Sequence, residues 1–252
     1  MKAVILCGGL GTRFSEETKT KPKPMIKIGK YPILFHIMKI YEKHGINDFI
    51  LALGYKGSLI KNYFNQKNLN NFNKDYYRYL KQKPKKLNWN IDFCFSGLKT
   101  MTGGRLLRLK KFLKNDENFL CTYGDGLANV NIKKLIKYHN SNKKIATVTA
   151  VIPSARFGAL KISGNKVLNF QEKPQSGEGW INGGFFCFNK KIFNYIEGDK
   201  TVLEDSPLTN LAKKKQLVAF KHKNFWQCMD TRRDHDLLVN QWRGRKILWL
   251  KN

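Results

Sequence analysis

Acidic residues are scarce in this chain: its 252 residues carry 18 aspartates and glutamates against 47 lysines and arginines, a formal net charge of +29. Such an excess attracts polyanions. The lysines are nevertheless spread over the whole length, at 80–86, 109–114, 133–144, 213–215 and 221–223. They travel with abundant asparagine, a pairing that compositional drift in an AT-rich genome also produces. A solvated, drift-driven surface and a selected polyanion partner both stay open at this point, because charge alone points only weakly to nucleic acid. Long apolar runs are missing too. Nothing approaches the ~18 residues of a membrane span, and the stretch from Ala3 to Cys7 is too short for the apolar core of a secretion signal. The expectation is a cytoplasmic protein with no membrane partner. Five cysteines, Cys7, Cys94, Cys121, Cys187 and Cys228, are odd in number and far apart, with no CxxC and no histidine or cysteine at zinc spacing. They are read as free, mostly buried thiols. Fixed-period repeats and low-complexity linkers are absent as well.

What the chain does have is alternation. Strand-like runs AVILC (3–7), DFILALG (48–54), NFLCTYG (118–124) and ATVTAVI (146–152) alternate with helical patterns at 33–45, LIKNYF and KKLIKYHN. Short buried strands alternating with helices predict a mostly parallel sheet with helices on both faces. From about 155 the pattern becomes strand-rich around RFGALKI, VLNFQEKP and INGGFFCF, followed by a helix near PLTNLAKKK and another from Asp234 to Trp242. With 42% hydrophobic residues the chain can bury a sizeable core. The segment from Asn65 to Asn90, rich in Asn, Lys and Tyr, reads as an insertion of no assigned structure.

GGLGTRFSEETKTKPKPM, residues 8–25, follows the first strand and fills a βα connection at the carboxyl edge of the sheet, where open α/β sheets bind ligands. Gly8, Gly9 and Gly11 allow a sharp turn and bring backbone N–H groups close to an anion. The GxGxxG fingerprint is absent, since Phe14 stands at its last position. A Walker A loop is absent too, since no GK[ST] closes the run. The loop is therefore of a phosphate-binding kind without being either common type.

LxGGxGTR (Leu6 to Arg13), KPKPM (21–25), MTGGR (101–105), TYGDG (122–126), RFGAL (156–160), FQEKP (170–174), WINGGFF (180–186) and FWQCMDT (225–231) occur in order. Together they resemble the sugar-1-phosphate nucleotidyltransferases over nearly the whole chain except 65–90 and the last dozen residues. The later blocks are most similar to members that use CTP and glucose 1-phosphate. The resemblance implies a Rossmann-like α/β fold in one domain, 1–252. Residues 1–153 form its nucleotide-binding core with the insertion, and 154–252 a strand-rich sugar-phosphate-binding portion with C-terminal helices. It also implies Mg²⁺ as cofactor, CTP and glucose 1-phosphate as small-molecule partners, a homo-oligomer, and no specific nucleic acid.

Roles follow from the same resemblance. Arg13 serves the triphosphate and the departing pyrophosphate, and Lys23 reaches the phosphates at the reacting centre, stiffened by a proline on either side. Leu6, Gly8, Gly9, Gly11, Thr12 and Gly124 complete the wall against the nucleotide. Asp125 and Asp230 are the metal pair, a hard-oxygen set of the kind Mg²⁺ prefers. Thr100, Thr102 and Arg105 would read O2 and N3 of cytosine, with Gly103 and Gly104 clearing room for the ring. The alternative for Arg105 is that it opens a basic amphipathic helix with Leu106, Leu109 and Leu113 on its core face. Lys173 grips the sugar phosphate, Glu172 and Asn182 bond sugar hydroxyls, and Gly158 and Gly183 clear space for the hexose. Trp180, Phe185 and Phe186 are read as core.

Cys7, Lys27, Ser154-Ala155 and Arg232 depart from the family's usual residues without removing a catalytic group. Two other readings stand beside this one: a transferase for another pyrimidine nucleotide or hexose phosphate, and a basic nucleic-acid-binding protein on an inactive transferase fold. Intact Arg13, Lys23, Asp125, Lys173 and Asp230 favour turnover.

Overall fold

The strand Ala3–Cys7 is apolar and buried along its whole length, the pattern required of a strand covered on both faces. In the computed structural model, which describes residues 1–11, 15–153, 159–171 and 179–251, this strand lies inside a seven-stranded sheet. The spatial order is Leu217–His222, Ala146–Val151, Ile181–Asn189, Asn118–Tyr123, Ala3–Cys7, Asp48–Leu53, Asn90–Phe95. Ile181–Asn189 runs antiparallel to both its neighbours, and every other adjacent pair in the sheet is parallel. This is the mostly parallel α/β sheet the sequence predicts.

Side-chain alternation divides the core in two. Ala3, Ile5 and Cys7, with Phe49, Leu51 and Leu53, face one hydrophobic cluster together with helix Ile33–Lys43. Val4 and Leu6, with Ile50 and Ala52, face a second cluster built with Leu106, Leu109, Leu113, Leu208 and Leu211. Both clusters exclude water, so the inner parallel strands Ala3–Cys7 and Asp48–Leu53 are buried on both sides. Among the described residues no helix is long and apolar enough to cross a membrane.

The structure adds several elements the sequence did not announce. Asn90–Phe95 and Leu217–His222 are the two edge strands of the sheet, only partly buried. Residues 65–90, left unassigned, contain helix Gln66–Tyr79. Leu69, Phe72, Tyr76 and Tyr79 recur along it at helical spacing, and Tyr76 is fully buried against Tyr31, Phe35, His36 and Trp242 at ring distances of 5.1–5.5 Å. Helix Thr102–Arg108 begins before Arg105 rather than at it. The last long helix, Arg232–Arg243, starts in a capping box between Thr231 and Asp234. Phe185 and Phe186 are core as expected, whereas Trp180 is 40% exposed with the Lys221 ammonium 5.5 Å from its ring centre.

The parallel strands all deliver their carboxyl ends to one edge. Gly8-Gly9 follows Cys7, Gly54 follows Leu53, and Gly124-Asp125 follows Tyr123. That edge gathers the motif residues.

Under the sheet, His36 is fully buried between the Ile28 carbonyl, which its Nε2 reaches at 3.0 Å, and the Tyr76 hydroxyl, 3.2 Å from Nδ1. A carbonyl only accepts, so Nε2 carries the proton and Nδ1 accepts from Tyr76. Burial lowers the His36 pKa from 6.5 to about 4, against the Ile28 hydrogen bond, which raises it. The folded state thus binds this proton more weakly than the unfolded chain, and the stability His36 contributes is complete above pH 6.5 and lost as pH falls toward 4. At about 1.4 kcal/mol per pH unit the loss is about 3 kcal/mol. Urea midpoints between pH 7 and 4 should reveal this loss in the wild type and a shallower one in His36→Gln. Parallel profiles for the two would contradict it.

Candidate active site

Lys23 stands at the head of a short 3-10 turn, Lys23–Met25, with Pro22 and Pro24 on either side. The prolines fix two backbone angles and aim a mostly buried side chain inward. Its ammonium donates to Asp125 Oδ2 at 2.7 Å and to Asp230 Oδ1 at 2.5 Å. Burial pulls the Lys23 pKa down, but the Asp125 charge and the hydrogen bonds the ammonium donates to both carboxylates outweigh it and hold the ammonium above its ordinary value.

Three separate segments supply these groups. Asp125 follows Tyr123 and Gly124 at the end of a parallel strand. Asp230 arrives because the short strand Trp226–Cys228 pairs antiparallel with Gly126–Ala128, Cys228 opposite Gly126. The Met229 N–H then donates to the Asp125 carbonyl at 2.9 Å, and the Asp230 N–H to Asp234 Oδ2 at 3.1 Å. Gly124 sets the approach of the lysine. A Cβ there would lie 2.8 Å from Pro24 Cγ and 3.2 Å from the Leu6 carbonyl, so any side chain would drive the turn off the strand end.

Cys228 completes the cluster. Single donor atoms of Asp125, Cys228 and Asp230 all lie within 4.8 Å of one another. Burial, then the charges of Asp125 and Asp230, push its thiol pKa up. Two carboxylates closing on a seated ammonium form a gap sized and charged for a cation, so the residues fit a divalent metal.

On the other side of the glycine loop, Arg105 is almost wholly buried. Its Nη1 donates to Ser96 Oγ and to the Gly97 carbonyl, each at 2.8 Å, and its Nη2 to the Leu98 carbonyl at 3.4 Å. The guanidinium fills the space over Gly8, where a Cβ would lie 1.9 Å from Nη1. Gly54 is pressed by the same guanidinium and by the Gly8 carbonyl. Arg105 therefore ties three strand ends together, and Leu106, Leu109 and Leu113 are buried behind it. Thr100 is buried beside Gly97. The Thr102 hydroxyl donates to Glu204 Oε2 at 2.6 Å and accepts from the Leu203 N–H at 2.9 Å. Gly103 and Gly104, expected to clear room for a ring, instead clear it for the backbone of Thr201 and Asp199, which a Cβ at either position would strike at 2.8 and 2.5 Å.

Around the rest of the edge, Leu6 is buried and Gly9 has no described atom within 4 Å of its Cβ position. Gly11 has a left-handed φ of +67°, its carbonyl accepting from Thr18. Asn182 is exposed and bonds the Gly184 N–H at 2.8 Å. The Gly183 carbonyl accepts from Trp226 Nε1 at 2.8 Å, which sets this pair beside the strand leading to Asp230. Thr12, Arg13, Gly158, Glu172 and Lys173 lie outside the described residues.

Sequence reading missed Ser96, Glu204 and Cys228. Glu204 accepts from both Thr102 and Tyr123, partners about a hundred residues away with no local signal. Cys228 did have one: it precedes Asp230 by two, the spacing that puts side chains on one side of an extended segment.

Residues 2–231 match the family model described as nucleotidyl transferase. The chain is 48% identical to the glucose-1-phosphate cytidylyltransferase of Salmonella typhi, over 99% of this chain and 98% of that protein, and equally to that of Salmonella typhimurium. The crystal structure of HddC from Yersinia pseudotuberculosis superposes with a TM-score of 0.68 at 28% identity, covering 96% of this chain and 99% of that one.

The seated ammonium and a divalent cation compete for the same oxygens. Lys23→Met should therefore raise Mn²⁺ affinity by about tenfold or more, equivalent to ~1.4 kcal/mol of relieved competition. Isothermal titration calorimetry measures it, and unchanged or weaker binding would rule the competition out.

Proposed function

Because this chain belongs to the nucleotidyl transferase family, we propose that it is a glucose-1-phosphate cytidylyltransferase, converting CTP and α-D-glucose 1-phosphate to CDP-glucose and pyrophosphate. The near-full-length identity to curated enzymes of that activity carries the reading. A sugar phosphate oxygen attacks the α-phosphorus of CTP in line. The new P–O bond forms as the α–β anhydride breaks, and the electron pair leaves with pyrophosphate. The nucleophile is already anionic, so no base is required. The protein's task is to hold two mutually repelling polyanions in register and to neutralise charge on the leaving group.

Members of the family generally use a divalent metal. Here we assign Mg²⁺ to Asp125 and Asp230, which would hold it where, when bound, it would supply charge neutralisation to phosphate oxygens. Lys23, once its ammonium leaves the carboxylates, is within the same pocket to serve the phosphates, with Arg13 on the triphosphate. Leu6, Gly8, Gly9, Gly11, Thr12 and Gly124 line the nucleotide. Thr100 reads cytosine, while Arg105, spent on Ser96, Gly97 and Leu98, and Thr102, bonded to Glu204, act as positioning residues behind it. Gly158, Glu172, Lys173, Asn182 and Gly183 hold the sugar phosphate, in the 154–252 portion of a single domain. We place the enzyme in the cytoplasm, as a homo-oligomer.

Pyrophosphate release across four nucleoside triphosphates and several sugar 1-phosphates tests the reading. UTP keeps O2 of cytosine but presents an N–H where CTP presents the N3 acceptor. An opposed buried donor costs ~1–3 kcal/mol, so CTP should be preferred over UTP by about tenfold to a few hundredfold. Arg105→Ala, which removes the support under Gly8 and Gly54, should weaken CTP and UTP alike and leave hexose selection alone. A wild-type preference for UTP or dTTP would refute cytidylyl transfer. Asp125→Asn should fold yet lose about two to three orders of magnitude in turnover. In gel shifts, any DNA or RNA affinity should be blind to sequence and fall steeply with salt, as counterion release requires. A salt-resistant, sequence-selective complex would overturn that.

A further inference from the structure

The cation pocket is not built of oxygen alone. Cys228 ends the strand Trp226–Cys228, and Asp230, two residues on, turns its carboxylate to the same side. Together with Asp125 from the facing segment they form a triangle whose donor atoms are mutually within 4.8 Å. An ion about 2.1 Å from oxygen and 2.3 Å from sulfur spans donors up to about 4.4 Å apart. Three donors around one such ion stand about 3.4–3.8 Å apart, so ligation closes the triangle by up to about 1 Å from its widest separation. The cysteine is only partly buried and is in no disulfide. Lys23, held between the two carboxylates, already marks the place where positive charge is stabilised.

We infer that Cys228 is a third protein donor at this site, making it a tridentate Asp-Cys-Asp centre for thiophilic divalent cations such as Co²⁺, Zn²⁺ and Cd²⁺. The inference rests on the reading of Asp125 and Asp230 as a metal pair. Magnesium is hard and ignores sulfur, so the thiol adds nothing to its binding. Borderline and soft ions bind thiolate strongly, and the same triangle holds them far more tightly. As the sulfur–metal bond forms, the thiol proton leaves to solvent and the Lys23 ammonium vacates the carboxylates. The charges then balance, with two carboxylates and one thiolate against the divalent ion and the nearby ammonium. The consequence is a site whose occupant depends on which metal is available, with thiophilic ions displacing Mg²⁺.

Adding Co²⁺ to the metal-free full chain tests this by spectroscopy, independently of turnover. The expected result is a sulfur-to-cobalt charge-transfer band that saturates at one equivalent, is absent in Cys228→Ser and persists in Cys94→Ser. In competition titrations the Cd²⁺-to-Mg²⁺ affinity ratio should fall by about tenfold or more in Cys228→Ser. Co²⁺ binding that Asp125→Asn abolishes but that lacks the band would overturn the thiol ligand and leave the carboxylate pair standing. A band that survives Cys228→Ser would assign it to another thiol and overturn the inference too. No metal binding at all would overturn both readings.

Discussion

One ammonium between two carboxylates organises this end of the molecule. Lys23, Asp125 and Asp230 come from three segments that meet only in the folded chain. Desolvating such a group is costly unless its charges are paired with good geometry. The fold meets that condition by clamping each member separately. Two prolines hold the lysine, a parallel strand ends at Asp125, and a two-strand pairing followed by a helix cap holds Asp230. One positive charge against two negative leaves the trio net negative, which is why the pocket fits a cation of higher charge than a lysine carries.

Arg105 plays the corresponding part for the glycine loop. A loop chosen for closeness to a ligand has little side chain with which to hold itself in place. Here the rigidity comes from beneath: the guanidinium packs on Gly8 and Gly54 and bonds the turn at Ser96, Gly97 and Leu98. Gly8 is thus small for the protein's own sake, whereas nothing described crowds Gly9. Adjacent glycines thus differ: Gly8 answers to packing, and at Gly9 no described atom imposes the same demand.

The same distinction explains what was legible in the sequence. Ala3–Cys7, Asp48–Leu53 and Asn118–Tyr123 are buried on both faces, so their apolar runs are continuous and unmistakable. Asn90–Phe95 and Leu217–His222 are edges, half exposed, and their mixed residues carry no such signal. Helix Gln66–Tyr79 packs by aromatic rings set among asparagines, which dilutes its periodicity. Lys23, Asp125 and Asp230 could be read because each sits in a local motif. Ser96 and Glu204 could not, because their work is to accept hydrogen bonds from residues brought near only by the fold.

The large positive charge of the chain does not do the work of the site. Exposed charges beyond about 8 Å are largely screened at physiological ionic strength, and the lysines are spread along the whole length rather than gathered at the carboxyl edge. They draw polyanions toward the surface as a whole, product pyrophosphate as readily as substrate, so they cannot favour the transition state over either. Discrimination requires charge that is close, partly buried and fixed in direction. That describes the ammonium of Lys23 and the two carboxylates that hold it: in a protein with 47 basic residues, a charge of this close, partly buried and directed kind is set where one lysine meets two of its 18 acids.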